Sequence, residues 1–405
     1  MVSEHRSAEP VRLRRWSAPD KIGAFAFRRL LGSLPCGQIT AVMPDGTRLH
    51  HRGPEPGPDA ELLIHRWRAV RRLLAGGDIG FAESYVAGDW SSPDLAALLE
   101  FAARNAPYVE RVVAGSAPLR AWNQILHTFR SNSKAGSRRN IFYHYDLGNA
   151  FYALWLDPSM SYSSGLYPSP DASLEAAQQA KIARAGDLLD LTGGETVLEI
   201  GCGWGALADH LVERGARVTG VTLSQSQLEI ARQRPAARIG AAEFRLEDYR
   251  DTGGLYDRIV SIEMIEAVGE RYWPAYFRTI RDRLKPGGIA VLQAITIAED
   301  RFDAYRKSTD FIQRHIFPGG MLPTVDIIRE QARRVGLEYV SGEWFADSYA
   351  RTLADWRHRF HQNAEAVEKL GFDLGFRRMW DYYLSYCEGG FRSGAIDVGL
   401  YRLRG

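Results

Sequence analysis

The chain has 405 residues, of which 45% are hydrophobic and 25% charged, and its formal net charge is +2. This composition is typical of a folded globular protein and excludes an intrinsically disordered chain. No apolar run approaches the ~20 residues of a membrane-spanning helix, and the first residues lack the apolar stretch of a signal peptide, so we expect a cytoplasmic protein. Three widely spaced cysteines fit neither a disulfide framework nor a zinc cluster, and no metal site is predicted.

Residues 1–140 are basic, with 20 Lys and Arg against 13 Asp and Glu. Such an excess is compatible with an anionic membrane surface, with nucleic acid, or with a solvated surface that binds neither. Charge alone leaves these alternatives open.

The first part of the chain has the pattern of a small mixed α/β unit. The expected elements are a helix from Pro19 to residue 34, a hairpin over 37–53 around Pro44-Asp45-Gly46, and helical stretches over 61–77, 94–106 and 119–130. A basic stretch with Gly and Ser at 131–140 is the predicted linker. We therefore expect an N-terminal domain over 1–130 and a larger domain over 141–405.

Further along the chain, strand-like and helix-like segments alternate. Strands are predicted over 195–200, 216–223, 242–248, 257–265 and 288–297, with helices over 174–191, after 205, over 224–234 and over 272–284. This order is typical of a doubly wound, Rossmann-like α/β sheet with helices on both faces. Two late strands, over 337–345 and 394–403, are expected to close the sheet. Aromatic-rich helices over 302–317 and 376–386 either line a pocket or form core.

A glycine-rich turn follows the first strand of the predicted sheet. Gly201, Gly203 and Gly205 precede a helix and are spaced Gly-x-Gly-x-Gly, which differs from the dinucleotide pattern Gly-x-Gly-x-x-Gly. Glu199 stands before the first glycine. Because an acidic group helps to place a cationic amino-acid moiety, the pattern favours S-adenosylmethionine (SAM) over NAD.

Several more motifs follow one another in order. They are Tyr143-His-Tyr-Asp-Leu-Gly-Asn149, Leu156-Asp-Pro-Ser-Met-Ser-Tyr162-Ser163, the glycine turn, Thr222-Leu-Ser224 with Gln227, Glu266-Ala-Val-Gly269, His315-Ile-Phe-Pro-Gly-Gly320 and Tyr386-Cys-Glu-Gly-Gly-Phe-Arg392. Together they resemble the cyclopropane fatty acid synthases, SAM-dependent enzymes that act on double bonds of lipid acyl chains. Residues 80–90, GFAESYVAGDW, are similar to the N-terminal domain of the phospholipid-acting members, so the resemblance covers nearly the whole chain.

The resemblance implies methyl transfer from SAM to an unsaturated phospholipid acyl chain, with a cyclopropane as product. It assigns SAM binding to Tyr162, Ser163, Glu199, Gly201, Gly203, Thr222, Ser224, Gln227, Asp248 and Tyr249. Because an alkene is a weak nucleophile, the rate must come from alignment in a dry pocket. Aromatic faces can stabilise the carbocation that forms.

A base must then remove a proton, and in the family this base is attributed to a bound bicarbonate. By resemblance, Glu266, Tyr349 and the backbone of Ile295 help to hold it. This chain departs from the family at two further positions, where Ser164 replaces the usual Cys and Gln293 replaces the usual His. Both can hydrogen-bond an anion, but Gln293 can carry neither a transferable proton nor a positive charge. Methylene and methyl-branched products therefore stay open beside the cyclopropane.

Two other functions are left open. One is methylation of a small metabolite, against which the lipid-type N-terminal domain argues, and the other is lipid binding without turnover, suggested by Ser164 and Gln293. The basic N-terminal part and the resemblance together predict an unsaturated phospholipid partner and peripheral contact with the anionic inner face of the membrane. No nucleic-acid partner is predicted, and a homodimer is left open.

Overall fold

The computed structural model describes residues 18–115 and 147–405. The elements of the N-terminal part are α1 (Ala18–Leu31), β1 (Cys36–Val42), β2 (Arg48–Arg52), β3 (Glu55–Ile64), α2 (Arg68–Val86), β4 (Trp90–Ser91) and α3 (Leu95–Gly115). The four strands form one sheet in the order β2-β1-β3-β4, in which β1 pairs antiparallel with β2 and parallel with β3. The predicted helix over 119–130 and the predicted linker over 131–140 lie outside the described residues.

The hairpin predicted around Pro44-Asp45-Gly46 is confirmed. Gly46 has a φ of 84°, and the backbone N–H of Thr47 donates to Asp45 Oδ1 at 3.0 Å. Both features are typical of a tight turn, because glycine adopts positive φ without strain and aspartate bonds the backbone two residues on. The turn fixes the pairing of β1 with β2.

Three predicted helices differ from the structure. The helix predicted over 302–317 is interrupted, because an α-helix ends at Lys307, Ser308 is extended, and a separate π-helical turn covers Ile312–Ile316. Residues 61–64, predicted as helix, belong to β3, where alternate residues from Ala60 to Ile64 are buried with the period of two of a strand. The helix predicted over 224–234 ends at residue 231. Arg234 is extended there because the next residue, Pro235, disfavours helical geometry in the residue before it.

The second part of the chain forms a seven-stranded sheet. Its strands are β5 (Thr196–Ile200), β6 (Arg217–Thr222), β7 (Ala242–Leu246), β8 (Tyr256–Ile262), β9 (Leu284–Ile297), β10 (Glu338–Trp344) and β11 (Ile396–Arg404). The order is β10-β11-β9-β8-β5-β6-β7, with β5 to β9 parallel and β11 antiparallel to both of its neighbours. The predicted doubly wound sheet and its two late strands are confirmed.

Helices cover both faces of this sheet. They are α4 (Asn149–Tyr152), α5 (Leu174–Leu188), α6 (Ala206–Glu213), α7 (Gln225–Ala231), α8 (Pro235–Arg238), α9 (Ile265–Val268), α10 (Trp273–Arg283), α11 (Glu299–Lys307), α12 (Val325–Arg334), α13 (Ala346–Gln362), α14 (Ala364–Lys369) and α15 (Leu374–Arg392). One core packs α5, α6 and α7 against the sheet, and another packs α10 and α12. Within the part of the chain that the structure describes, none of the helices is long and apolar enough to cross a membrane.

A third core joins the two sheets through α15. It combines apolar side chains of α1, α3 and β3 with those of α13 and α15. Gly389 of α15 lies against α3, where an added Cβ would come within 2.7 Å of the backbone nitrogen of Glu100, so this close packing requires glycine. The N-terminal helices therefore lie next to the second part of the chain, while the division into domains at 131–140 stays a prediction.

Candidate active site

A cavity of about 1990 Å³ lies at the carboxyl ends of β5 to β8 and extends to α1, α2 and α3. We call the part at the strand ends the inner end and the part at the three N-terminal helices the outer end. Ligands of doubly wound sheets bind outside the carboxyl ends of the strands. The volume exceeds the ~300–1,000 Å³ of a typical small-molecule pocket. The cavity therefore has room for a cofactor and a second, long ligand.

The glycine turn lines the inner end. Gly201, Gly203 and Gly205 have φ values of 79°, 52° and 84°, which glycine adopts at little cost. Gly203 lines the cavity, and a Cβ built on it would meet no protein atom within 4 Å. The backbone at Gly203 is thus open to a ligand.

Two buried charged groups lie beside the turn. The carboxyl group of Glu199 has an Oε2 without a hydrogen-bond partner, and burial raises its pKa to about 8. Lys181 of α5, which sequence reasoning missed, is buried as well, and its Nζ donates to Ser163 Oγ at 2.9 Å. Burial lowers the pKa of Lys181, against the effect of three nearby carboxylates. An unpartnered buried oxygen on a cavity wall is a group that a cationic ligand would satisfy.

The residues predicted to follow β6 and β7 in the cofactor site also line the inner end. Thr222 Oγ1 donates to Gln227 Oε1 at 2.9 Å, and Ser224 Oγ caps α7 by accepting from Gln227 N at 3.3 Å. Asp248 and Tyr249 lie on the wall after β7. With Tyr162, all ten residues assigned to SAM binding line this one cavity.

Aromatic side chains also line the cavity. The hydroxyl groups of Tyr162 and Tyr383 lie 2.8 Å apart in a hydrogen bond. Tyr305, Phe317 and Tyr386 also face the cavity. The aromatic-rich segments over 302–317 and 376–386 therefore contribute to the cavity wall as well as to the core.

Glu266 lies in the first turn of α9 and lines the inner end. Its Oε1 accepts a hydrogen bond from the backbone N–H of Ile295 at 2.6 Å, while Oε2 is buried without a partner. Burial, and next the nearby carboxylate of Glu263, raise the pKa of Glu266 to about 8. This carboxyl group is therefore mostly protonated at neutral pH.

Glu263, the first residue after β8, is a site residue that sequence reasoning missed. Its Oε1 accepts from Ser164 N at 2.8 Å and from Gln293 Nε2 at 2.6 Å, and its Oε2 accepts from Tyr349 OH at 2.6 Å. The structure thus gathers three predicted site residues around a carboxylate that was not predicted. Its position directly after an apolar strand was an available signal, but the predicted strand over 257–265 enclosed it.

The outer end of the cavity is apolar. Its wall includes Phe27 and Leu30 of α1, Leu73 of α2, and Leu98 and Phe101 of α3. A wall of this kind can enclose a hydrocarbon chain but offers little to a polar metabolite.

Comparison with known proteins identifies related sequences. A family model described as mycolic acid cyclopropane synthetase matches residues 132–400. The tuberculostearic acid methyltransferase UfaA1 of Mycobacterium tuberculosis is 43% identical over 391 residues, which cover 93% of this chain and 89% of that protein. The cyclopropane-fatty-acyl-phospholipid synthase of Escherichia coli (strain K12) is 34% identical over 361 residues, which cover 85% of this chain and 87% of that protein.

Solved structures are similar in fold. The mycolic acid cyclopropane synthase CmaA1, complexed with SAH and CTAB, matches with a TM-score of 0.61 at 30% identity, over 66% of this chain and 98% of that chain. The cyclopropane synthase MmaA2 from Mycobacterium tuberculosis matches over the same shares, with a TM-score of 0.60 at 30% identity.

Proposed function

Because this chain belongs to the mycolic acid cyclopropane synthetase family, and is a SAM-dependent methyltransferase of the cyclopropane synthase type, we propose that its substrate is an unsaturated acyl chain of a phospholipid. The family acts on lipid acyl chains, and the phospholipid and its double bond are the proposed part. The observation that carries the proposal is one cavity with a polar inner end and an apolar outer end.

The inner end fits SAM. The backbone at Gly203 is open, and Glu199 offers an unpartnered buried oxygen to a cationic group. When bound, SAM supplies a methyl group on a positively charged sulfur. Glu199, Ser163 and Tyr162 would hold its amino-acid part, and Thr222, Ser224, Gln227, Asp248 and Tyr249 its nucleoside.

The outer end fits the acyl chain. Apolar side chains of α1 and α3 line this end, and with an acyl chain bound they would keep water from an alkene held there. Tyr162 and Tyr383 line the same cavity, where their rings would stabilise a carbocation without reacting with it.

The proposed product is a cyclopropane fatty acyl chain. A methylene or methyl-branched product is a second candidate, favoured by the 43% identity to a protein named as a tuberculostearic acid methyltransferase. Both begin with the addition of a methyl group to one alkene carbon. Direct loss of a proton from that methyl group closes a ring, whereas a hydride shift before proton loss gives a branched alkene.

We also propose that the protein contacts the anionic inner face of the membrane through α1. Phe25 is 68% exposed, and Arg28 and Arg29 beside it are exposed too. An exposed aromatic ring next to two guanidinium groups suits the interface of an anionic bilayer. The same helix lines the outer end of the cavity, so this contact would bring the lipid next to that end.

Mass spectrometry of unsaturated phospholipid vesicles incubated with the protein and SAM tests the proposal. We expect the acyl chains to gain one CH₂, and NMR of the product then separates ring from branch. No gain in the phospholipid would refute the proposed substrate. A gain in a small amine instead would support the metabolite alternative, and binding of both ligands without any gain would support a lipid-binding protein.

A further inference from the structure

Glu263 holds a backbone conformation that glutamate rarely adopts. Its φ is 48°, in the left-handed region, where a residue with a side chain is strained. The structure maintains this conformation with three hydrogen bonds to the carboxylate, from Ser164 N, Gln293 Nε2 and Tyr349 OH. Glu263 and Tyr349 line the cavity, so the strained residue holds its carboxylate at the cavity wall.

The surroundings of Glu263 favour one negative charge at this position. Burial raises the pKa of Glu263, while its three hydrogen-bond donors and the charge of Lys181 oppose that rise. The neighbouring Glu266 accepts a single hydrogen bond, and its pKa is raised to about 8. When two carboxyl groups lie close together, the one with more donors keeps the charge. With three donors against one, Glu263 is the member of the pair that ionises first, and Glu266 the one that keeps its proton longer.

A bicarbonate does not fit the residues as they are arranged. Glu263 already accepts the hydrogen bonds that Ser164 N, Gln293 Nε2 and Tyr349 OH can donate. Glu266 likewise accepts the one from the backbone N–H of Ile295. Ser164 Oγ donates to the carbonyl of Gly165 at 2.8 Å. An anion placed here would also lie against the charge of Glu263, which repels it.

We propose that the Glu263 carboxylate is the base of the reaction and takes the place that bicarbonate has in the family. This inference rests on the proposed function. Once an alkene carbon has bonded to the methyl carbon and the methyl–sulfur bond has broken with its electron pair on sulfur, the lipid carries a cation. Glu263 takes a proton from it, and the electron pair of that C–H bond forms the last C–C bond of the ring or the new double bond. The proton then leaves to solvent.

Glu263→Gln tests the basic oxygen while keeping the side-chain shape. Gln293 can adapt, since its Oε1 has no partner and would accept from the new amide. We expect turnover on phospholipid vesicles to fall about a hundredfold or more, the range that general bases contribute, while the Kd for SAM stays within about twofold. The matched control is Glu330→Gln on the exposed face of α12, which should turn over like the wild type. Undiminished turnover in Glu263→Gln would overturn the inference.

Glu263→Gly separates a base from a merely structural carboxylate. Glycine adopts a φ of 48° without strain and leaves a space lined by the three donors. We expect this variant to be inactive in buffer depleted of carbon dioxide and to regain turnover with added bicarbonate, whereas the wild type needs none. A wild type that loses turnover without bicarbonate would overturn the inference.

Binding of ¹³C-labelled bicarbonate, followed by NMR, gives a readout that does not depend on turnover. It should bind to Glu263→Gly and not to the wild type, and binding to the wild type would contradict the assignment. If the wild type modified no phospholipid, the proposed function would fail, and this titration would still decide whether Glu263 fills the anion position.

Discussion

The two ends of the cavity are built in different ways. The inner end carries four ionisable side chains. Glu199, Glu263 and Glu266 lie at or just after the carboxyl ends of β5 and β8, and Lys181 lies on α5. The outer end is made mostly of apolar side chains from α1, α2 and α3, with Arg29, Asp78 and Asn105 among them. Charged groups are costly to bury unless they are partnered, and Glu199 and Glu266 each leave one oxygen without a partner.

This difference indicates which part of the cavity lowers the stability of the unliganded protein and which part raises it. At the inner end, raised carboxyl pKa values and the positive φ of Glu263 cost free energy in the unliganded protein. At the outer end, burial of apolar surface stabilises the fold. Substitutions at the inner end should therefore change ligand binding and pH dependence, and substitutions at the outer end should change access of the lipid.

The largest expected effect is that of Glu266→Gln on how the free energy of unfolding changes with pH. The pKa of Glu266 is raised from 4.5 to about 8 in the folded protein, so the native state binds this proton more tightly than the unfolded state does. Its contribution is fully present below about pH 4.5 and is lost as the pH rises towards 8, at up to ~1.4 kcal/mol per pH unit. In Glu266→Gln, the free energy of unfolding should therefore fall less between about pH 5.5 and 8, by roughly 2–3 kcal/mol.

Urea unfolding at several pH values measures this difference, with Glu330→Gln as control. Arg333 and Arg334 lower the pKa of the exposed Glu330 to about 2, so it titrates outside this range and its removal should leave the pH dependence unchanged. Equal pH dependence in the wild type and Glu266→Gln would show that Glu266 is already ionised at neutral pH.

Glu199→Gln should weaken SAM binding by about 30-fold, or about 2 kcal/mol, because it removes a charge that the cationic amino-acid part would pair with. The pKa of Glu199 is raised to about 8 by burial, so at pH 7 binding of that cation should release a proton. Calorimetry in two buffers of different ionisation enthalpy should detect this proton with the wild type and not with the variant. Equal affinity and equal buffer dependence would place Glu199 away from the cofactor.

Gly203→Ala should weaken SAM binding by about tenfold. The added Cβ meets no protein atom within 4 Å but projects where the backbone is open to the cavity. Gly240→Ala is a matched control, since Gly240 has a similar φ of 71°, equal free space and no part in the cavity wall. Both variants should lose similar stability, about 1 kcal/mol, through backbone strain. If calorimetry finds the same loss of SAM affinity in both, strain rather than contact is the cause.

The sequence predicts most of the inner end because a local pattern specifies it. The glycine turn, its preceding strand and Glu199 lie within ten consecutive residues, 196–205, so their geometry follows from a strand, a turn and a helix in succession. The sheet could be predicted for the same reason, since each strand and helix has its own period.

The carboxylate cluster could be predicted only in part. Ser164, Glu263 and Tyr349 come from distant parts of the chain and meet through the packing of α13 against the strand ends. No local pattern shows that contact, and a strand boundary misplaced by three residues hid Glu263. Residues 61–64 were misassigned for a related reason, because a short apolar run fits the period of a helix and that of a strand equally well.

Phe25→Ser should have the smallest effect, a loss of turnover on anionic vesicles that concerns only the outer end. Phe25 is exposed on α1, outside the cavity wall, so its loss should leave SAM affinity and stability unchanged. If α1 contacts the bilayer, turnover should fall about threefold on anionic vesicles. It should stay constant on phospholipid dispersed in detergent, because there the protein does not have to bind a bilayer before it takes up the lipid.

The control is Leu370→Ser, which changes an apolar residue that is 45% exposed after α14 and should change neither rate. An equal loss on both substrates would mean that Phe25 acts on the cavity itself, and equal rates throughout would remove α1 from the membrane contact.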